Sequence, residues 1–138
     1  MIVTWLWRFV RSCLPQDKQK EVGLFSHIMV FWWADKHDNE DSRSIMQTEP
    51  PYAIGQVCGV FATRTEYRPN PIAMTTCKLE GIDEVNGIVW IADIDAYDGT
   101  GIVDLKPCFP VCDRVEEFRF PAWVSDWLEW MPEEGLGL

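Results

Sequence analysis

The stretch FATRTEYRPNPI at residues 61–72 holds the most distinctive polar side chains of the sequence. Arg64 and Arg68 put two guanidinium groups among apolar residues, and an arginine fork suits carboxylate and phosphate ligands. Two prolines enclose Asn70, so the segment is expected to be a fixed, extended loop. Such a loop would pre-organise a binding site. The alternative is a surface loop whose arginines pair with nearby acids such as Glu66, and the residues alone favour neither interpretation.

A second candidate is ADIDAYDGT at residues 92–100, where Asp93, Asp95 and Asp98 alternate with apolar residues and run into a turn. Carboxylates at the end of a strand can accept hydrogen bonds from ribose hydroxyls or hold a cationic ligand. The alternative is a solvated hairpin in which Asp-Gly serves only as turn chemistry. Taken alone, the residues favour the hairpin. A calcium loop fits poorly because the EF-hand ligand spacing is absent.

A third candidate is the polar pair Asp35 and Lys36, which follows the most apolar segment of the chain. A polar strand end without a binding role is the commoner outcome for such a pair. His27 lies inside the apolar segment, where a hydrogen-bonded core histidine is expected, and His37 receives no role. Arg43 lies in an acidic loop, where its loss is expected to be absorbed.

Charge and cysteine content exclude several classes of function. Lys and Arg number 12 against 22 Asp and Glu, so a global basic footprint for nucleic acid is absent. A nucleic-acid partner would need a local patch, for which Arg64, Arg68, Lys106 and Arg114 are available. An odd count of five cysteines argues against a disulfide framework and favours a cytoplasmic location. The spacing of Cys and His residues predicts no metal site, and the apolar opening segment is too short to span a membrane.

The elements that must position these residues are mainly strands. With 138 residues and 47% apolar content, the chain is expected to form one domain with a real core. An Asn86-Gly87 pair predicts a hairpin. The fold class is all-β, as a small antiparallel β-barrel with long loops and a short C-terminal helix carrying Trp123, Trp127 and Trp130. The expected strands are Val22–Trp33, Val57–Ala62, Ile72–Leu79, Ile88–Ile94 and Ile102–Leu105.

Four motifs together resemble one known family. FSHIMVFWWADK, GVFATRTEYRPNPIAMT, IDAYDGT and VDLKPCFPVCDR are similar, in order and spacing, to the TsaA-like family, also called TrmO-like or YaeB-like. The likeness runs from Leu24 to Trp130. It implies a small β-barrel that binds S-adenosylmethionine and forms a homodimer. It also implies a methyltransferase acting on N6 of threonylcarbamoyladenosine beside the tRNA anticodon.

The resemblance also implies site residues. The cofactor contacts would fall on Asp35, Lys36, Arg64, Met74, Ile94 and Asp95. Arg64 or Lys36 would meet the methionine carboxylate, Asp95 the ribose hydroxyls, and Met74 and Ile94 the adenine. The residues to test first for contact with the tRNA substrate are Arg68, Asn70 and Lys106, and no catalytic base is named.

The sequence departs from the family in two places. Residues 1–23 form an atypical, shortened opening segment in which Pro15-Gln16 is a remnant of the expected cofactor-contacting stretch. The family's DGTP reads DGTG at residues 98–101. These departures keep open the alternative of a non-catalytic, dimeric barrel that binds S-adenosylmethionine or another small ligand.

Overall fold

The computed structural model describes Lys18, residues 20–133 and Gly135; the predicted remnant Pro15-Gln16 lies outside these residues. A four-stranded antiparallel sheet in the order β5-β4-β1-β6 forms the centre. A second, two-stranded sheet pairs β2 with β3. The strands are β1 His27–Trp33, β2 Gln47–Thr48, β3 Cys58–Gly59, β4 Ile72–Asp83, β5 Ile88–Ala92 and β6 Ile102–Pro107.

Helical structure in the described part of the chain is short. The α-helices are α1 Glu40–Ser44 and α2 Pro110–Asp113, and single 3-10 turns occupy Val22–Leu24, Asp35–His37, Val60–Ala62 and Ala122–Val124. Within the described range, no helix is long and apolar enough to cross a membrane.

Strand β1 is the middle of the sheet because it pairs with β4 on one edge and β6 on the other. Ile28, Val30 and Trp32 alternate onto the buried face, as expected for a strand with period two. They pack in one core with residues of β4, β5 and the segment after β5, including Cys77, Val89 and Ile94.

The expectation of a mainly antiparallel β fold is confirmed, but the expected closed barrel is wrong. Closure requires every strand to have two neighbours, and β5 and β6 are the unpaired edges of an open sheet in the described residues. The expected strand Val57–Ala62 is only the two-residue β3, because the chain turns into a 3-10 helix at Val60. The short strand β3 pairs with β2 and does not extend the main sheet.

Other boundaries also differ from expectation: β4 and β6 run on to Asp83 and Pro107, and β5 ends at Ala92. The first strand begins at His27 because Val22–Leu24 forms a 3-10 turn. The predicted C-terminal helix is a single 3-10 turn, Ala122–Val124. The Trp127 ring instead packs edge-on against Tyr52, with the ring centroids 5.2 Å apart.

The hairpin predicted at Asn86-Gly87 is confirmed. β4 runs on to Asp83, which pairs with Ile88 at the start of β5. Gly87 has a φ of 67°, a left-handed conformation that glycine adopts without strain.

The loop at residues 60–70 is held by Arg68. Its Nη1 donates to the carbonyl oxygens of Val60, Thr63 and Thr65, at 3.1, 3.0 and 3.3 Å. The guanidinium also lies 5.5 Å from the centroid of the Phe61 ring. Arg68 therefore fixes the loop through backbone oxygens and makes no ion pair with a carboxylate in the described structure.

Arg68→Ala is expected to lower the free energy of unfolding by about 1.5–3 kcal/mol, because hydrogen bonds from a charged group to three carbonyls are lost. Urea unfolding followed by circular dichroism measures this change. Arg119→Ala, which alters an exposed arginine of the C-terminal segment, is the control and should be near neutral. Equal stability of the two variants would show that Arg68 does not fix the loop.

Candidate functional site

A cavity of about 320 Å³ opens where β1 ends. Its lining comes from three separate segments: the end of β1 with the 3-10 turn after it, the loop at Glu66, and the connection between β5 and β6. The volume lies at the lower end of the roughly 300–1,000 Å³ range of small-molecule sites.

The inner wall of the cavity is apolar. Trp32, Ala34 and Ile94 line it and are all at least nine-tenths buried. The Trp32 indole Nε1 donates to Thr75 Oγ1 at 3.1 Å, which fixes the ring orientation. The cavity therefore offers a rigid apolar surface on its core side.

The outer wall is acidic. Four carboxylates line the cavity, from Asp35, Glu66, Asp95 and Asp98, against the basic side chains of Lys36 and His37. Partial burial raises the pKa of Asp95, and the negative charges of Glu66 and Asp93 raise it further. This electrostatic environment favours a ligand that brings positive charge or hydroxyl donors to Asp95.

Two contacts join the segments around the cavity. The Lys36 Nζ lies 3.7 Å from the centroid of the Tyr97 ring, a cation–π contact between the β1 end and the β5–β6 connection. The His37 ring packs edge-to-face on Tyr67, with ring centroids 5.0 Å apart. The lining residues thus have a defined arrangement.

The structure brings four of the six predicted cofactor residues together at this cavity: Asp35, Lys36, Ile94 and Asp95. Arg64 and Met74 are not among its lining residues. The Arg64 backbone N–H donates to the Tyr52 hydroxyl at 2.9 Å, and its side chain is exposed. Met74 stands opposite Phe31, which alternates with the buried residues of β1, so Met74 lies on the other face of the sheet. The roles of both residues stay predictions.

The predicted substrate residues Arg68, Asn70 and Lys106 do not line the cavity either. Asn70 is exposed, and its carbonyl accepts from Ile72 N–H at 2.7 Å. Lys106 is paired with Asp104 at 2.8 Å and lies on the same outer face as Met74. The basic residues expected to gather around the cleft are therefore not its lining, and their contact with tRNA stays a prediction.

Sequence reasoning assigned no binding role to several lining residues, among them Trp32, His37, Glu66 and Tyr97. His37 and Tyr97 lie within two residues of predicted site positions, so adjacency in the chain was a usable signal. Glu66 was considered only as an ion-pair partner, and nothing in its neighbourhood indicated which way it points. In the part of the chain that the structure describes, no group of three or more His, Cys, Asp or Glu side chains could hold a metal ion.

The chain resembles known proteins over most of its length. Residues 7–114 match the model of the tRNA-methyltransferase O N-terminal domain. A probable S-adenosyl-L-methionine-binding protein of Methanocaldococcus jannaschii is 42% identical over 81 residues, covering 58% of this chain and 63% of that protein. The human tRNA (adenine(37)-N6)-methyltransferase is 35% identical over 122 residues, covering 82% of this chain and 27% of that enzyme.

A solved structure shares the fold. The crystal structure of TrmO from Pseudomonas aeruginosa superimposes with a TM-score of 0.62 at 27% identity, covering 83% of this chain and 45% of that one. The chain thus spans less than two thirds of the length of these relatives. Because the family match covers well over half of the sequence, this chain belongs to the tRNA-methyltransferase O N-terminal domain family.

Proposed function

We propose that this chain binds S-adenosylmethionine in the cavity and transfers its methyl group to an adenosine derivative of tRNA. One observation carries the proposal. Asp35 and Lys36 are far in sequence from Ile94 and Asp95, yet these four predicted cofactor residues meet at one cavity in a member of this family. The names of the relatives support the same cofactor and reaction class.

The chemistry of the cavity fits this cofactor. Its carboxylates complement the sulfonium and ammonium charges, and Asp95 can accept hydrogen bonds from ribose hydroxyls. Lys36 is the group available to the methionine carboxylate. Trp32 and Ile94 offer an apolar surface of the kind that an adenine ring needs. When bound, S-adenosylmethionine supplies an electrophilic methyl group on a positively charged sulfur.

The protein's own contribution is positioning and exclusion of water. The buried wall of Trp32, Ala34 and Ile94 keeps solvent from one side of the cavity. The acceptor nitrogen must lose a proton, and Asp95 and His37 are cavity groups that can receive one, His37 at a ring nitrogen. We assign neither as the base.

The specific substrate we propose is N6 of threonylcarbamoyladenosine beside the tRNA anticodon, in the cytoplasm. Relatives named tRNA (adenine(37)-N6)-methyltransferase support it. Since the net charge is −10, RNA contact must rest on a few cations. We keep Arg68, Asn70 and Lys106 as the proposed substrate contacts, outside the cavity. Arg64 and Arg114 are the further basic residues proposed for the RNA patch.

A second candidate is a protein that binds S-adenosylmethionine without catalysis. It is favoured by the relatives whose names give only binding, among them proteins of Methanocaldococcus jannaschii and Archaeoglobus fulgidus. The acidic cavity would serve this role equally well, so methyl transfer itself must be measured.

We also propose a homodimer, because the C-terminal segment exposes large apolar side chains. Leu128 and Trp130 are 73% and 74% exposed, and Trp127 is half exposed despite its contact with Tyr52. An apolar surface of this kind is typical of an interaction site.

The first test of the proposed function is thermal melting with two ligands. S-adenosylmethionine should raise the melting temperature, because a ligand that binds only the folded state stabilises it. S-adenosylhomocysteine should raise it less, since it lacks the positive sulfur that the carboxylates attract. The absence of any shift with S-adenosylmethionine would reject the proposed cofactor. Transfer of labelled methyl groups to tRNA that carries threonylcarbamoyladenosine then separates enzyme from binding protein.

The second test is Asp95→Asn. Because the pKa of Asp95 is raised on folding, the ligand-free protein loses stability as the pH rises from the ordinary value of 3.8 through this raised pKa. At neutral pH the variant should therefore melt at the same or a higher temperature than the parent protein. It should bind S-adenosylmethionine roughly tenfold or more weakly, since a charge-assisted contact is lost.

Calorimetry over a pH series completes this test. In the parent protein, affinity should fall as the pH is lowered through the pKa of Asp95, whereas the Asp95→Asn profile should lack this fall. Asp126→Asn changes an exposed carboxylate outside the cavity and is the control. If Asp95→Asn lowers stability and leaves affinity intact, the assignment of Asp95 is wrong.

The third test concerns assembly. Light scattering at micromolar concentration should give twice the chain mass, and Trp130→Ser should shift the mass toward the monomer, because the exposed indole is lost. Leu24→Ser, which changes an exposed apolar residue near β1, is the control. A monomer mass for the parent protein would reject the dimer.

A further inference from the structure

Arg43 makes a set of contacts that the proposed function does not use. It lies in α1, whose first turn is capped by Asn39, with Oδ1 accepting from Ser42 N–H at 2.9 Å. Its guanidinium holds Asp38 Oδ1 through Nε at 2.7 Å and Nη2 at 2.6 Å. Its Nη1 donates to the Pro69 carbonyl at 2.5 Å. One planar fork therefore joins two loops that are distant in sequence.

The Asp38 carboxylate is held on its other side as well. Oδ2 accepts from the Trp33 indole Nε1 at 3.0 Å, and the Arg43 guanidinium lies 5.9 Å from the Trp33 ring centroid. The hydrogen bond from Arg43, followed by the one from Trp33, lowers the pKa of Asp38. The carboxylate therefore stays ionised to a lower pH than an ordinary aspartate and is a charged partner for the guanidinium.

The two loops joined by Arg43 both contribute to the cavity. Asp38 directly follows the turn Asp35–His37, whose three residues line it. Pro69 lies three residues after Glu66, which also lines the cavity. The edge-to-face contact between His37 and Tyr67 bridges the same two loops at a second point.

We infer that Arg43 is a positioning residue that sets the distance between the Asp35–His37 turn and the Glu66 loop, and through it the width of the cavity. Lysine cannot replace it, because an ammonium lacks the planar fork that reaches Asp38 and the Pro69 carbonyl together. This differs from the expectation that the acidic loop would absorb the loss of Arg43. The effect on cofactor affinity rests on the proposed function, whereas the effect on loop geometry does not.

A cofactor-independent experiment tests the geometry. The chain has two histidines, His27 on β1 and His37 on the cavity turn, so their ring proton signals in NMR are easily assigned. In Tyr67→Leu the His37 signal loses the ring-current shift that Tyr67 causes. Arg43→Ala should move the His37 signal in the same direction, because the released loop moves Tyr67 away from His37, and should leave the His27 signal unchanged. Arg119→Ala is the control for loss of an exposed arginine and should move neither signal. A His37 signal unchanged in Arg43→Ala would overturn the inference.

The matched substitution Arg43→Lys separates positioning from charge. If the planar guanidinium sets the loop spacing, Arg43→Lys should shift the His37 signal in the same direction as Arg43→Ala. The lysine keeps the positive charge but cannot contact both the Asp38 carboxylate and the Pro69 carbonyl. A His37 signal identical to that of the parent protein in Arg43→Lys would overturn the role of the fork. Should Arg43→Ala not fold, Arg43→Lys and Asp38→Asn carry the test, because each removes only part of the contact set.

Calorimetry with S-adenosylmethionine tests the consequence for binding. Arg43→Ala should weaken affinity roughly tenfold, and the double variant with Tyr67→Leu should weaken it by less than the product of the single effects, because both changes release the same loop. If the loss of affinity in the double variant equals the product of the two single losses, Arg43 and Tyr67 do not act on the same loop. If the parent protein binds no S-adenosylmethionine, the proposed function fails, while the NMR result still decides whether Arg43 sets the loops.

Discussion

The placement of β1 between β4 and β6 is the constraint on which the rest of the structure depends. Ile28, Val30 and Trp32 are buried along one face, and full burial of such side chains contributes about 1.5–3 kcal/mol each. Just beyond this core, Trp33 N–H donates to the Gly101 carbonyl at 2.9 Å and Ala34 N–H to the Pro71 carbonyl at 2.8 Å. These bonds attach the end of β1 to the chain that precedes β6 and to the chain that precedes β4. The cavity forms at this junction, and this explains why its lining comes from three distant segments.

The acidic wall of the cavity opposes the stability of the ligand-free fold. Asp95 is partly desolvated and lies near the negative charges of Glu66 and Asp93, so its ionised form is less favourable there than in the unfolded chain. A binding site commonly carries an unfavourable interaction of this kind, which a complementary ligand relieves. The buried core and the loop contacts of Arg43 and Arg68 hold the carboxylates close in spite of their repulsion.

The sheet also divides the predicted residues between two surfaces. Met74 and Lys106 pair with Phe31 and Met29, the β1 residues that point away from the core. Because neighbouring side chains of a strand point to opposite faces, residues close together in a motif need not share a site. The loop from FATR to RPNPI also separates neighbouring residues. Glu66 lines the cavity, whereas the Arg68 guanidinium donates to backbone carbonyls of its own loop.

The sequence by itself determined the β class and the hairpin at Asn86-Gly87, which follow from side-chain alternation and turn chemistry. The local patterns around Asp35 and Asp95 favoured plain strand ends and turns, and only the family resemblance indicated that these two segments belong to a site. The tertiary structure alone decided that the sheet stays open and that the predicted C-terminal helix is a single 3-10 turn. It also decided that Arg68 binds the carbonyls of its own loop, while Arg43 binds Asp38 and the Pro69 carbonyl. Each of these outcomes depends on strand pairing and on contacts between residues distant in the chain, because the energy that selects them arises only when the segments meet.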